Sequence, residues 1–386
     1  MDDLRSATAA VVTELRLSAY RTLRGRAVPL TPVTLLAGPS GSGKTSVLEA
    51  YAALSRLGGG AALGEVFDGG RDGPSVHVPQ DARSDPQGRR GFRLGCTVDG
   101  PAGLVRCDVA VQAEPELRVV GERLTAPDGR TLLATALRDP GRRTVAAEWH
   151  SAGVSRVVRA PLPDDRLGTA LLPLRVAGTT EGQRQVLAAA EQVVVALRSA
   201  FPCDPRPAVM RDPVGTADGR LWRDCGNLAA VLHRTRAECA VRHGLLVDAL
   251  RAGCAGPVED LDTEPAGGPQ RVRAVLRRGG ERGTPLDWLG EGELRYTALA
   301  LVLLTGPGVL SMDPAEEVLP ARQALTVLAD GMDRGLDGRQ RAELLGLARR
   351  MAERGHVRVL ATVGDADAVL RGAGGAPGVS LVNLGE

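Results

Sequence analysis

Gly38-Pro39-Ser40-Gly41-Ser42-Gly43-Lys44-Thr45 decides the reading of this 386-residue chain. The stretch fills every fixed position of the pattern G-x-x-x-x-G-K-[ST], and its surroundings fit the pattern too. Before it, Val33–Ala37 is a short apolar run bounded by Pro32 and Gly38, which reads as a strand. After it, Val47, Leu48, Tyr51 and Leu54 recur at helical spacing, and Gly58-Gly59-Gly60 ends the pattern. Glycines in such a turn let successive backbone N–H groups point inward at phosphate oxygens. The helix start adds partial positive charge. Lys44 is expected to reach the β- and γ-phosphates, and the Thr45 hydroxyl to ligate Mg²⁺. Gly38, Pro39, Ser40, Gly41, Ser42, Gly43, Lys44, Thr45 and Ser46 are therefore the expected nucleotide contacts, with ATP and Mg²⁺ as ligands.

Composition strengthens this expectation. The chain has 47 Arg and a single lysine, Lys44; it has two Asn (Asn227 and Asn383) and no Ile. A GC-rich coding bias accounts for the skew. Under such a bias a surviving lysine marks a place where the broad guanidinium fork cannot replace a compact ammonium. The net charge of +2 gives no global electrostatic case for nucleic acid. The six cysteines form no C-x-x-C pair, and buried free thiols are expected rather than a zinc site. The start, Met1 to Arg5, has early acids and no apolar core, so no signal peptide is expected; with apolar runs too short to span a bilayer, the expectation is a cytoplasmic protein without membrane contact.

Outward from the loop, Val12 to Ser18 alternates as a strand, and residues 75–78 suggest another. Period-two alternation from Gly91 to about Leu133, broken at Asp99-Gly100-Pro101 and Pro127-Asp128-Gly129, predicts an antiparallel β region. Helical patterns cover residues 180–200, with Thr180 as N-cap, and residues 221–252. Residues 253–269 read as a linker, 271–278 as a strand and 294–305 as an apolar helix. Beyond these, 309–312 reads as a short buried strand, 321–332 and 339–353 as helices, and 357–362 and 379–384 as strands. The two ends look like halves of one α/β sheet.

A P-loop needs a second acid at the end of a buried strand to hold the magnesium shell. Asp313, after Val309-Leu310-Ser311-Met312, is the expected one, 269 residues beyond Lys44. That separation excludes compact small kinases and GTPases. Upstream, Trp288-Leu289-Gly290-Glu291-Gly292-Glu293-Leu294-Arg295 opens the apolar helix and resembles the signature motif of ABC-type ATPases. Leu15–Leu23 followed by Leu30–Leu54, a short strand and an aromatic ahead of the P-loop strand, resembles the opening of the RecF-like, SMC-like and OLD-like ATPases. Cys225-Gly226-Asn227-Leu228-Ala229-Ala230-Val231-Leu232 is similar to a segment of a bacterial predicted-ATPase family in that group, which lacks a long coiled coil. The resemblance implies an ABC-ATPase-like head with an antiparallel β lobe and a helical insertion. It also implies a homodimer in which Gly290 and Gly292 of one protomer cap the P-loop nucleotide of the other.

Three positions depart from that pattern. Gly290 replaces the signature serine, Pro314 follows Asp313 where a catalytic glutamate is expected, and Val363 stands where a switch histidine is expected. Glu316 is the nearest acid left for catalysis, with Glu317 beside it. Gln80 at a strand end is either a Mg²⁺-sensing residue or a solvated one. Asn227 is either a member of the motif, or a helix cap or solvent-facing residue. Arg271, Arg273 and Arg277 share one strand face, as a phosphate track or as a solvated surface.

The expectation is thus an α/β P-loop NTPase with a core from residues 1–60 and 285–386. A mainly antiparallel β lobe covers 61–160, and a mainly helical insertion with linker covers 161–284. Its expected function is ATP binding with ATP-gated dimerisation and weak hydrolysis. The alternatives are a DNA-associated maintenance or defence ATPase acting with a separate effector protein, and a non-hydrolysing scaffold.

Overall fold

The structure is a computed structural model that describes residues 9–69, 73–152, 157–217, 219–268, 270–280, 282–312, 323–364 and 378–385. The fold is α/β, as expected, with one parallel sheet around the P-loop strand and a separate antiparallel sheet. The chain divides into two compact units: Met1–Leu30, Ser40–Ala200 and Asp313–Ala324 in the first, and Thr31–Pro39, Phe201–Met312 and Leu325–Glu386 in the second.

Strands β1 (Val11–Tyr20) and β2 (Leu23–Pro29) open the first unit, and β3 (Val33–Ala37) belongs to the second. The first unit continues with β4 (Arg90–Asp99), β5 (Val105–Glu114), β6 (Arg118–Thr125), β7 (Thr131–Ala136), β8 (Thr144–His150) and β9 (Val157–Pro163). These form one sheet in the order β2-β1-β4-β5-β6-β7-β8-β9. Alternation assigns its faces. In β5, Val105, Cys107, Val109 and Val111 are buried, while Arg106, Asp108 and Ala110 point to the other side. Helices Lys44–Gly58 and Glu181–Arg198 pack on the buried face and on each other. Their contact is close: a Cβ on Gly58 would lie 2.8 Å from Leu197 Cβ. Thr180 caps the second helix, accepting from the Gln183 N–H at 3.2 Å.

Where the sequence suggests a strand at 75–78, the chain instead makes a 3-10 turn, Gly73–His77. The turn inserts His77 into an aromatic group. Its ring stacks on Tyr20 with centroids 5.5 Å apart and meets Phe67 edge-on at 5.0 Å, and Nδ1 lies 3.0 Å from the Tyr20 hydroxyl. Packing against aromatic side chains, not a ladder partner, holds this segment.

The second unit has β10 (Ala200–Cys203), β11 (Val214–Gly215), β12 (Asp260–Pro265), β13 (Arg271–Arg277), β14 (Thr284–Pro285), β15 (Leu325–Ala329), β16 (Val357–Thr362) and β17 (Val379–Asn383). Its main sheet runs β10-β15-β16-β3-β17, with β15, β16, β3 and β17 parallel in register. The two ends of the chain do build one sheet. The helix expected over 321–332 is overturned, because Leu325–Ala329 is a central strand. All five of its residues are buried. A strand covered on both faces loses its alternation and reads as an unbroken apolar run, which periodicity cannot separate from a buried helix.

Residues 309–312 correct the sequence reading in the other direction. They are not a strand but a 3-10 turn, Pro307–Val309, followed by an isolated bridge from Leu310 to Leu221. The helix expected over 221–252 is two, Leu228–Glu238 and Ala240–Gly253, parted at Cys239 with φ −150°. The expected linker at 253–269 contains β12, which pairs with β13. Among the described residues no helix is long and apolar enough to cross a membrane.

Candidate functional site

The P-loop follows directly from β3. Its three glycines adopt positive φ: Gly38 136°, Gly41 85° and Gly43 94°. Other residues rarely take this conformation, so these positions explain the glycines in the motif. At Gly43 the space is restricted as well, since a Cβ there would lie 2.8 Å from Leu23 Cδ2. Gly43 is the N-cap of helix Lys44–Gly58; no side chain caps this end, and its first turn holds no acid. The first N–H groups of a helix have no intrahelical acceptor, and the aligned peptide dipoles make this end positive. The Ser42 hydroxyl is buried and has no hydrogen-bond partner among the described residues. A buried hydroxyl without a partner is costly unless a ligand meets it. Left-handed glycines, a positive helix end, Lys44 and the Ser42 hydroxyl together fit a polyphosphate chain.

Parallel α/β sheets bind ligands beyond the carboxyl ends of their strands. At that edge β3 delivers Gly38 and Pro39, β16 ends at Thr362 and β15 ends just before Asp330. The Thr362 hydroxyl donates to Asp330 Oδ1 at 2.6 Å and accepts from the Gly331 N–H at 2.7 Å. One side chain thus fixes both the carboxylate and the turn after it. Arg295, buried in helix Glu291–Leu303, supports this turn from behind. It donates to the carbonyls of Gly331 at 3.0 Å and Asp330 at 3.4 Å, and to Pro205 O. Burial, with the charge of Arg334, holds its guanidinium below its ordinary pKa. Asp333 accepts the Gly364 N–H with both oxygens, at 3.1 and 2.9 Å.

Asp330 escapes the sequence reading, although its signal matches that of Asp313: an apolar run ending in an acid. Asp313, Glu316, Glu317, Pro314 and Asp365 lie outside the described residues. Gln80 sits exposed in a turn after Gly73–His77 and does not end a strand. Gly290 is the N-cap of helix Glu291–Leu303, and Gly292 lies in its first turn. Gly292 is a forced glycine, because a Cβ would fall 2.4 Å from Gly335 O. This helix start differs electrostatically from that of the P-loop. Its first turn carries Glu291 and Glu293, which oppose an anion there, though Glu293 is paired with Arg278 at 2.6 Å.

Asn227 is buried, and its amide bonds the backbone of the turn before it. Its Oδ1 accepts the Trp222 N–H at 2.9 Å, and its Nδ2 donates to Arg220 O at 2.7 Å. It closes the turn that precedes helix Leu228–Glu238 without capping it by side chain. The arginines on β13 are largely matched within the unit. Arg273 pairs with Glu264 at 2.6 Å, Arg277 with Asp262 at 3.3 Å, and Arg271 donates to Pro213 O. That arrangement favours the solvated-surface reading over a phosphate track.

Among solved structures, the chain is similar to an SMC head bound to the C-winged helix domain of ScpA, at 12% identity and TM-score 0.43, covering 94% of this chain and 91% of that one. It is similar to the SMC head domain from Thermotoga maritima, at 13% identity and TM-score 0.40, covering 94% and 92%. A third likeness is to the recombination mediator protein RecF–ATPrS of the RecFOR pathway, at 12% identity and TM-score 0.39, covering 98% of each chain. No protein-family model and no curated protein matches the sequence. At these identities and scores, any functional reading rests on the loop and the sheet edge themselves.

Proposed function

We propose that this chain binds ATP with Mg²⁺ through the P-loop and uses the bound nucleotide to change its association state. The observation that carries the reading is the loop itself: glycines left-handed at 38, 41 and 43, ahead of an uncapped helix start that bears the chain's one lysine. Lys44 and the backbone N–H groups would hold the β- and γ-phosphates. Thr45 is assigned to the magnesium shell, with Asp313 as the acid the sequence offers for it. Mg²⁺ supplies charge neutralisation for the phosphates, and the protein's part is to hold oxygen ligands of fixed orientation.

Hydrolysis is expected to be slow. The residue after Asp330 is Gly331, and Pro314 follows Asp313, so neither acid has an adjoining carboxylate to polarise water. The protein is therefore read as nucleotide-gated with slow turnover. Isothermal titration with ATP·Mg²⁺ tests this, run together with light scattering for oligomeric state. Wild type is expected to bind and Lys44→Ala to lose binding while keeping its circular dichroism. Equal affinity in both proteins would sink the proposal.

A further inference from the structure

Two thiols meet inside the second unit although 22 positions separate them in the chain. Cys203 ends β10, and Cys225 lies in the turn before helix Leu228–Glu238. Their sulfurs are 4.0 Å apart, and both residues are buried. The backbones around them are tied together. The Asp204 N–H donates to Arg223 O at 2.8 Å, and the Arg206 N–H donates to Asp224 O at 2.9 Å. A disulfide needs neighbouring backbones of this kind, with side chains turned toward one another. Closing the sulfurs to a bonded length of about 2.05 Å takes a movement of about 2 Å, within reach of rotation about the side-chain bonds.

Cys225 also holds a backbone conformation that few side chains adopt. Its φ is 58°, in the left-handed region, where glycine or asparagine costs less. The turn fixes it there: the Cys225 N–H donates to Trp222 O, and Cys225 O accepts the Leu228 N–H, each at 3.0 Å. Cysteine at this strained position brings its sulfur against Cys203. Among the described residues no group of three or more His, Cys, Asp or Glu could hold a metal ion, so the pair lacks the ligand set of a zinc site. The buried Arg295 guanidinium, which donates to Pro205 O, draws Cys225 toward the thiolate. The hydrogen bond with Cys203, and then burial, outweigh that charge and hold the Cys225 thiol well above its usual range.

We propose that Cys203 and Cys225 are a redox-modification site, a dithiol that a peroxide converts to a disulfide clamping β10 to the turn before helix Leu228–Glu238. One sulfur, as thiolate, attacks an oxygen of the peroxide and becomes a sulfenic acid. The O–O bond breaks, and the departing hydroxide takes up the proton that the thiol released, giving water. The second sulfur then attacks the sulfenic sulfur. The S–O bond breaks, the hydroxyl leaves with the second thiol's proton as water, and the S–S bond forms. Two thiols thus lose two electrons and two protons, and hydrogen peroxide becomes two waters. Because the thiolate is scarce at neutral pH, the reaction is slow there and speeds up as pH rises. Burial admits a small oxidant and shields the finished bond from bulky thiols.

The test treats the whole folded chain with hydrogen peroxide, then unfolds it, blocks the remaining thiols with iodoacetamide, digests it with trypsin and maps the peptides by mass spectrometry. The expected product is a linked pair of peptides holding Cys203 and Cys225, lost again on reduction with dithiothreitol. Cys239→Ser removes the one cysteine that is not buried, and in that variant the thiol titre should still fall by two. Cys203→Ala and Cys225→Ala should each abolish the link. The oxidised wild type should unfold at a temperature roughly 6–12 °C above the reduced protein, and neither alanine variant should show that difference. If an alanine variant does not fold, the wild-type map decides alone. The proposal is overturned if the linked pair is absent from folded, peroxide-treated protein, or if the bond forms instead between Cys96 and Cys107, which are partners across β4 and β5. It is equally overturned if the same bond forms as fast in urea-unfolded chain, since the fold then contributes nothing.

Discussion

Replacing Asn227 by Ala tests whether this buried amide is a structural clamp. The side chain satisfies one backbone donor, Trp222 N–H at 2.9 Å, and one backbone acceptor, Arg220 O at 2.7 Å. Alanine can serve neither, and the Asn227 side chain itself is fully buried. Each orphaned group costs about 1–3 kcal/mol. Water can reach the Trp222 and Arg220 backbone in part, so the lower half of that range applies, and the sum is about 3 kcal/mol. For a unit of this size that lowers the midpoint of thermal unfolding by about 6–12 °C.

Calorimetry resolves the effect, and tryptophan fluorescence in urea follows it independently. Asn227→Asp refines the test, because the carboxylate keeps the bond from Trp222 but turns an oxygen toward the Arg220 carbonyl. A protonated carboxyl donates there again. Its pKa in the folded state is thereby raised above the unfolded value of about 3.9, so this variant gains stability as pH falls toward that range. ATP affinity should be unchanged in both variants where they are folded. A loss under 1 kcal/mol, or weakened ATP binding at unchanged stability, would refute the clamp and make Asn227 a ligand contact.

Other substitutions separate the site from its scaffold. Thr362→Val removes the hydroxyl that holds Asp330 and leaves the Gly331 N–H without its partner. It should destabilise the second unit by about 1–3 kcal/mol, read by thermal unfolding, and an unchanged midpoint would argue against a structural role for that hydroxyl. His77 is pushed down to about 4 by burial and, secondarily, by the charge of Arg21. Its neutral form stabilises the first unit fully above about pH 6.5, and that contribution is lost as pH falls toward 4. Urea midpoints from pH 7 to 4 should therefore fall more steeply in wild type than in His77→Phe, and parallel curves would count against it. Gly253→Ala puts a Cβ 2.2 Å from the Tyr296 ring, so it should destabilise the second unit by about 1–3 kcal/mol; a neutral result would mean that the two helices separate freely.

The site is legible in the sequence where a residue type is forced by its backbone. Gly38, Gly41 and Gly43 are glycines because φ is positive there, and Lys44 stands out because nothing else in the chain is lysine. Asp330 is hidden by the burial that positions it. A strand in the middle of a parallel sheet is covered on both faces, so residues 325–329 carry no alternation, and a helix period fits them as well as a strand does. The 309–312 run offers the same signal on a shorter stretch and takes the assignment instead.

The charge pattern of the antiparallel sheet is illegible for a different reason. Arg93, Arg106 and Arg123 lie on three strands, and only register tells that they face the same way. In a chain with 47 arginines, spacing along one strand cannot distinguish a functional charge from a solvated one. The β13 arginines are the conspicuous cluster, and they are matched by Glu264, Asp262 and a backbone carbonyl. Which charges are matched depends on which carboxylates the fold brings alongside, and register sets it: Asp108 lies opposite Arg123, and Glu264 opposite Arg273.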